Sequence, residues 1–245
     1  MEELRKLLYW YPSSHSLWKA CEAASLKQFE FSEPLLDVGC SEGKLASVLF
    51  TNRPAIGLDI STSSLELAKK MYTHVVCADA TKMPFRNEVF STVLSVCTLE
   101  HIPNVGIVLR ECKRTLRDKG RIIFTVPSEK YIDLFFLSRV LRSSFLARAI
   151  FRSFLLHRKS ASHFYSKEKW KEKLYRIGFN DAQGFYFASP LTSLIHSLMW
   201  PIEDVFHALH IPFILPRGLL FSVFKRFVGP GPLEQGSGLL ISARK

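Results

Sequence analysis

Three acids end three short apolar runs in the first third of the chain: Asp37 in "PLLDVGCSEG", Asp59 in "GLDIS" and Asp79 in "CADATKMPF". The first opens into a turn that holds Gly39 and Gly43. Carboxylates at such turns attract hydrogen-bond donors and cations, and glycine lets a backbone approach a ligand closely. A pyrophosphate loop would read G-x-G-x-x-G and present backbone donors at a helix start. Here two carboxylates, Asp37 and Glu42, flank the two glycines instead. Beside a phosphate each would add repulsion of about 4 kcal/mol at intermediate dielectric, so the turn suits a ligand with a positive end and no phosphate.

S-adenosylmethionine has that chemistry, with a sulfonium, an ammonium and no phosphate. Asp59 stands where an acid accepts hydrogen bonds from ribose hydroxyls. Asp79 suits the exocyclic amine of an adenine, and the Ala80 amide suits a ring nitrogen. Any one of these acids taken alone serves equally as a helix N-cap; the ordered set of three favours the ligand.

The elements that must carry these residues are legible. Five runs, "PLLDVG", "PAIGLDI", "HVVCAD", "STVLSVC" and "RIIFTV", are nearly continuous in apolar residues, as strands covered on both faces are. Helical segments lie between them at Lys44–Thr51, Ser63–Tyr72 and Val105–Leu116. The alternation predicts an α/β fold with a doubly wound, Rossmann-like parallel sheet. After Pro127 the pattern changes. Tyr131–His157 reads as a helix or helix pair with Arg139, Arg142, Arg148 and Arg152 off its apolar face. "SKEKWKEKLYRIGF" reads as a helix capped by Gly178, and "GSGLLISARK" as a closing strand. At 245 residues and 47% hydrophobic content one core suffices. The expected organisation is a single domain: an N-terminal helical cap over 1–33, a ligand-binding core over 34–128, a helical insertion over 129–162, a return to the core over 163–188, an apolar, proline-interrupted lid over 189–232 and a closing strand over 233–245.

With these motifs in view the sequence resembles the class I S-adenosylmethionine-dependent methyltransferases, in particular the branch that acts on quinones and other small molecules. "LLDVGCSEG", "GLDIS", "ADATKMPF", "FSTVLSVCTLEHI" and "LRDKGRIIFTVPS" stand for its successive motifs, over about Leu35–Ser128. The resemblance implies a seven-stranded sheet whose last strand is antiparallel. It also implies that the Asp37–Gly43 turn, with Gly39 and Cys40, holds the methionine portion. Asp59 and Ile60 would hold the ribose, Asp79 and Ala80 the adenine, and Ser95 and Val96 would bring backbone toward the amino acid end. Ser41 departs from the pattern where a third glycine is common, and Ser91 where an aspartate is usual.

Methyl transfer is an in-line displacement in which the cofactor carries the chemistry and the protein aligns the acceptor. A base helps only when the acceptor is a hydroxyl or an acidic carbon. His101, in "LEHI" after the fourth strand, is the candidate catalytic residue, with a structural or merely acceptor-lining role as the alternative. Glu100 beside it, His163 and Tyr165 in "SHFYS", and Tyr11 and Trp18 in the aromatic N-terminus are candidates to line the acceptor. Packing of that N-terminus on the sheet edge is the competing reading.

Thirty-three Lys and Arg against 22 Asp and Glu give a net charge of +11, which favours anionic partners. Five cysteines without a C-x-x-C pair exclude a disulfide framework and a zinc site, and no metal is expected. No secretion signal is visible, and a reducing, cytoplasmic setting is expected. The Phe-rich, Arg-bearing stretch 131–157 and the apolar stretch 189–232 have the composition of interfacial segments, with peripheral association on an anionic membrane as the corollary. Pro190, Pro201, Pro212 and Pro216 interrupt the second stretch too often for a span of about 20 residues. The expected acceptor is small and apolar or lipid-like. A nucleic-acid acceptor ranks below it, because "CTLEHIPN" lacks the tetrapeptide of base amino-methylating enzymes, and a cofactor-binding regulatory subunit without turnover ranks third.

Overall fold

The computed structural model describes residues 2–50, 55–141, 163–209 and 216–245, together with Ser144, Leu146, Ile150 and Ser153. The chain divides into two compact units, each discontinuous in sequence: residues 29–128, 161–185 and 239–245 form one, and residues 1–28, 129–160 and 186–238 form the other. The second unit gathers most of the stretches set apart above as cap, insertion and lid.

The first unit is built on a seven-stranded sheet. In chain order the chain forms α1 (Glu2–Trp10), α2 (Ser13–Leu26), β1 (Leu35–Val38), α3 (Ala46–Leu49), β2 (Ala55–Asp59), α4 (Thr62–Ala68), β3 (His74–Cys77), β4 (Phe90–Val96), α5 (Val105–Thr115) and β5 (Leu116–Pro127). After these come α6 (Phe136–Val140), α7 (Lys167–Ile177), β6 (Asn180–Phe187), α8 (Pro190–Ala208), α9 (Arg217–Phe224) and β7 (Gly238–Arg244). The sheet order is β3-β2-β1-β4-β5-β7-β6. The pairs β1·β2, β1·β4, β2·β3 and β4·β5 are parallel. β7 is antiparallel: Lys245, at its C-terminal end, donates its amide to Gly120 near the start of β5. A seven-stranded, mostly parallel Rossmann-like sheet with an antiparallel last strand is therefore what the chain forms.

Burial follows position in the sheet. All four residues of β1 are buried, and β4 is buried at five of its seven positions, so both strands need apolar residues on both faces. β3 differs from the expectation of a strand covered on both faces. It is the edge strand, and His74 and Cys77 are exposed. β5 starts five residues before its apolar run, at Leu116 directly after α5, but its register with β4 breaks between Phe90 and Thr92 and the regular ladder begins at Arg121. Between them Lys119 has φ 62°. β6 is the strand whose polar start, "NDAQ", hides it from a search for apolar runs.

α7 ends at Gly178 as expected, and its start is capped as well. The Ser166 hydroxyl accepts from the Lys169 amide at 3.3 Å, and Gly178 at φ 91° closes the helix in the left-handed region. Trp170 and Leu174 are its buried residues, with Trp170 set edge-on to Phe124 of β5 at 5.0 Å between ring centroids.

The second unit is helical. α2 packs on α1 and α8, and α1 also meets α9. Glu203 of α8 caps α2 by accepting from the Ser14 amide at 3.0 Å and from its hydroxyl, which places a carboxylate at the positive end of the helix. α8 continues through Pro201, a residue expected to interrupt the stretch. Of the helix expected over Tyr131–His157, α6 is described. Arg142, Phe145, Arg148, Phe151, Arg152 and Phe154 lie outside the described residues, as does the Arg139 side chain. Among the described residues no helix is long and apolar enough to cross a membrane.

Candidate functional site

β1, β2, β3 and β4 point their carboxyl ends the same way, and β1 lies between β2 and β4, where the winding reverses. Open parallel sheets bind ligands at that switch point. A cavity of about 220 Å³ lies there. Gly39 comes from the loop after β1, Leu58, Asp59 and Ile60 from the end of β2, Ala78, Asp79 and Ala80 from the loop after β3, and Thr98, His101 and Ile102 from the loop after β4.

The turn after β1 is held by β2. Gly39 and Cys40 both donate their amides to the Leu58 carbonyl, at 2.7 and 3.0 Å. Gly39 has φ 77°, and a Cβ there would lie 2.2 Å from Thr98 Oγ1 and Cγ2. The position therefore requires glycine twice over, for conformation and for space. Ser41, where a third glycine is common, takes φ 49° and donates its amide to Asp59 Oδ2 at 2.8 Å. That bond offsets the cost, about 1 kcal/mol or more, of a side chain in the left-handed region.

Asp59 is fixed on both oxygens, since Oδ1 accepts the Ser61 amide at 2.9 Å. Ser61 in turn caps α4 by accepting from Ser64 at 3.2 Å. Asp59 is thus not itself the N-cap, and each of its oxygens retains lone-pair capacity toward the cavity. Asp79 is exposed and accepts the Thr81 amide at 2.7 Å, and these hydrogen bonds from Thr81 hold its carboxyl below the usual range. The loop that carries it onward to β4 is pinned by Arg114 of α5, which donates to the carbonyls of Met83 and Phe85 and pairs with Glu111 at 2.7 Å.

Asp37, Cys40, Gly43, Ser95, Val96 and Glu100 are not among the residues lining the cavity. Asp37 is buried, its Oδ2 accepts from Tyr72 at 2.6 Å, and its Oδ1 has no hydrogen-bond partner among the described residues. Burial raises its pKa to about 7 against the opposing Tyr72 bond, with the Asp59 charge adding to the rise. Burial, with Asp37 next, also pushes the Cys40 thiol far up, so Cys40 is an inert thiol. Ser95 donates to the Val38 carbonyl at 2.9 Å and so ties β4 to the end of β1. Val96 contributes a carbonyl that Thr98 bonds at 3.2 Å.

The raised Asp37 pKa has a consequence for stability. The protonated carboxyl is the form that folding favours, so its contribution is full below the unfolded value near 3.8 and is lost as pH rises to about 7. We expect Asp37→Asn, which cannot ionise, to gain on the wild type by roughly 4 kcal/mol between pH 4 and pH 8. Urea unfolding at the two pH values checks this.

His101 sits in the 3-10 turn Leu99–His101 and lines the cavity, with its Nε2 3.7 Å from Glu100 Oε1. Glu100 is buried. His163 secures the same loop: its amide donates to the Glu100 carbonyl at 3.2 Å, and its Nε2 lies 2.9 and 3.0 Å from the carbonyls of Ile102 and Pro103, which makes it the donor. Tyr165 stacks on His163 at 4.8 Å and meets Trp170 edge-on. Tyr11 and Trp18 belong to the helical unit. There the Tyr11 carbonyl accepts from Ser16 at 3.1 Å, while buried Trp18 donates to Ser237 at 3.0 Å and meets Phe187 edge-on.

Sequence reasoning did not single out Leu58, Ala78, Thr98 or Ile102. Thr98 and Ile102 were within reach of it, since both flank the "LEH" that it named. Tyr72 gave no signal, because its bond to Asp37 joins positions 35 apart. The lining as a whole has two carboxylates, Asp59 and Asp79, and neither Lys nor Arg. These carboxylate acceptors fit a ligand that is cationic and hydroxyl-bearing and repel a phosphate. Among the described residues no cluster could hold a metal ion, and no disulfide joins the cysteines.

Residues 36–124 match the family described as the methyltransferase domain. An uncharacterized protein of Methanocaldococcus jannaschii is 36% identical over 103 residues, which are 42% of this chain and 40% of that protein. The fatty-acid O-methyltransferase of Mycolicibacterium smegmatis is 32% identical over 104 residues, 40% of this chain and 38% of that enzyme. The chain thus spans less than half the length of these relatives. Among solved structures, a possible histamine N-methyltransferase from Thermotoga maritima superposes with a TM-score of 0.61 over 95% of this chain and 91% of that one, at 18% identity. That likeness shows the fold alone. The matched segment runs from β1 to β5 and includes every strand end that meets the cavity, so residues 36–124 are the part of the chain that carries a methyltransferase domain.

Proposed function

We propose that the chain is an S-adenosylmethionine-dependent methyltransferase acting on a small, apolar or lipid-like acceptor. The observation that carries the first half is the cavity at the strand ends, lined by Asp59 and Asp79 without a Lys or Arg. Gly39, Cys40 and Gly43 would hold the methionine portion through backbone groups, with the Asp37 carboxylate behind them. Asp59 and Ile60 would take the ribose, and Asp79 and the Ala80 amide the adenine. Ser95 and Val96 would support the amino acid end through the strand they belong to. When bound, S-adenosylmethionine supplies the electrophilic methyl group.

The remaining work of the protein is alignment and exclusion of water. His101 borders the cavity and is placed to take a proton from a hydroxyl or acidic-carbon acceptor. Glu100 and His163 hold its turn in position. The apolar character of the acceptor is supported by the apolar stretches outside the cofactor core and by the fatty-acid acceptor named for one relative.

The experiment is release of S-adenosylhomocysteine on mixing protein and S-adenosylmethionine with a total lipid extract. The reading expects release with the lipid fraction and none with the aqueous fraction. Release with the aqueous fraction alone overturns the acceptor class.

A further inference from the structure

Helix α8 is amphipathic in the reverse of the usual sense. Thr192, Ser193, His196 and Ser197 are buried, at 0 to 5% exposure, whereas Leu191, Leu198, Ile202 and Val205, with Leu209 just past the helix end, are 41 to 61% exposed. At 3.6 residues per turn those five aliphatic residues fall within an arc of about 60° and form a stripe about 27 Å long. The orientation is fixed by the polar side. Ser193 donates to the Ser189 carbonyl at 2.8 Å, His196 Nδ1 lies 2.9 Å from the Ser14 carbonyl, and Ser197 accepts the Phe136 amide at 2.9 Å. Turning the helix to bury its leucines would break the last two bonds and strand their groups.

We infer that the outward face of α8 rests on the surface of an anionic lipid bilayer. Charge selects this occupant over a second copy of the chain. The two acids of α8, Glu203 and Asp204, fall off the stripe by helical position; beyond them, from Val205 to Leu233, the sequence has no acid, and its cations are Arg217, Lys225 and Arg226. Lys225 and Arg226 are exposed and immediately precede Phe227, whose carbonyl accepts from Thr192 in the first turn of α8. Cations therefore stand at the Leu191 end of the stripe, where they would meet anionic headgroups, and the net charge of +11 favours an anionic surface over a second copy of the chain. The stripe is flanked by Leu194, Pro201, Met199 and Phe206, so it has none of the charged flanks that register a helix pair. Such a helix lies in the interface and does not cross it. α9 adds exposed Leu219 and Val223 in the same unit.

The inference rests on these observations and not on turnover. Applied to the apolar-acceptor reading, it places the enzyme where such an acceptor dissolves. The test is co-sedimentation of the full chain with vesicles of phosphatidylglycerol and phosphatidylcholine, against vesicles of phosphatidylcholine alone. Binding to the anionic vesicles is expected, weakened by salt and reduced about tenfold or more by Leu198→Gln/Ile202→Gln/Val205→Gln. Lys225→Glu/Arg226→Glu, which leaves α8 intact, should reduce it as well. Wild-type protein that stays in the supernatant, or a triple variant that binds as tightly with an unchanged circular dichroism spectrum, overturns the inference. So does a lipid-free dimer that the triple variant dissolves, because a second copy then covers the stripe. Failure of the acceptor reading looks different: vesicle binding persists and the lipid extract releases no S-adenosylhomocysteine.

Discussion

Gly39→Ala is expected to cost about 3 kcal/mol of stability and to abolish cofactor binding. About 1–2 kcal/mol comes from placing a side chain at a positive φ. A further 1–3 kcal/mol comes from overpacking, since the new Cβ falls 2.2 Å from two Thr98 atoms and 2.7 Å from a third. Relief of that overlap pushes the β1 loop and the β4 loop apart, and both line the cavity. Thr98→Ala in the Gly39→Ala background removes the two closest atoms and should restore about 1 kcal/mol. Gly57→Ala is the milder control: its Cβ would meet the Cys40 sulfur at 2.8 Å and Cys40 Cβ and Tyr72 Cδ2 at 3.2 Å, and its φ is not in the left-handed region. Urea unfolding curves of the wild type and the three variants check the order.

The second large effect is expected at Asp59. Asp59→Ala removes the acceptor for the Ser41 and Ser61 amides and so loosens the turn after β1 and the start of α4. It also removes the two charged oxygens proposed to accept from the ribose hydroxyls. Hydrogen bonds to a charged group contribute about 1.5–3 kcal/mol each, so the affinity for S-adenosylhomocysteine should fall about 100-fold or more. Asp59→Asn keeps one oxygen and should fall between the two. Calorimetric titration gives the affinities, and a thermal midpoint lowered by only a few degrees in Asp59→Asn separates ligand loss from unfolding. Unchanged affinity in both variants would remove the ribose from Asp59.

The parts of the fold that could be read in advance are those where one physical requirement dominates. β1, β2 and β4 lie inside the sheet, so both faces demand apolar residues and the runs show it. Gly178 ends α7 because a left-handed residue must follow its last turn, and only glycine takes that position cheaply. β3 has the same kind of run but lies at the edge, and no run of residues says which strand is last. β6 begins with four residues that favour turns or solvent, and its partners decide its state. α8 was the hardest to read, since a sequence rich in Leu and Ile is expected to turn them inward. Ser197 and His196, which help to reverse it, find their partners on α6 and at Ser14, far away in the chain.

The site divides along the same line. Gly39, Asp59, Asp79, Ala80 and His101 could be placed at strand ends by motif, and they meet in one cavity. Asp37 shares the motif but faces a buried tyrosine and has a raised pKa, an environment set by packing across the sheet. The Arg114–Glu111 brace of the Asp79 loop and the His163 brace of the His101 turn join residues about 30 and 60 positions apart, beyond the range of local spacing.

The central claim is that a carboxylate-lined cavity at the strand ends takes a cationic adenosyl donor. Isothermal titration of the wild-type chain with S-adenosylmethionine, S-adenosylhomocysteine and a nicotinamide dinucleotide tests it most directly. Saturable binding of the first two, and no heat from the dinucleotide, is the predicted result. A silent titration with both sulfur nucleosides alongside saturable uptake of the dinucleotide would contradict it.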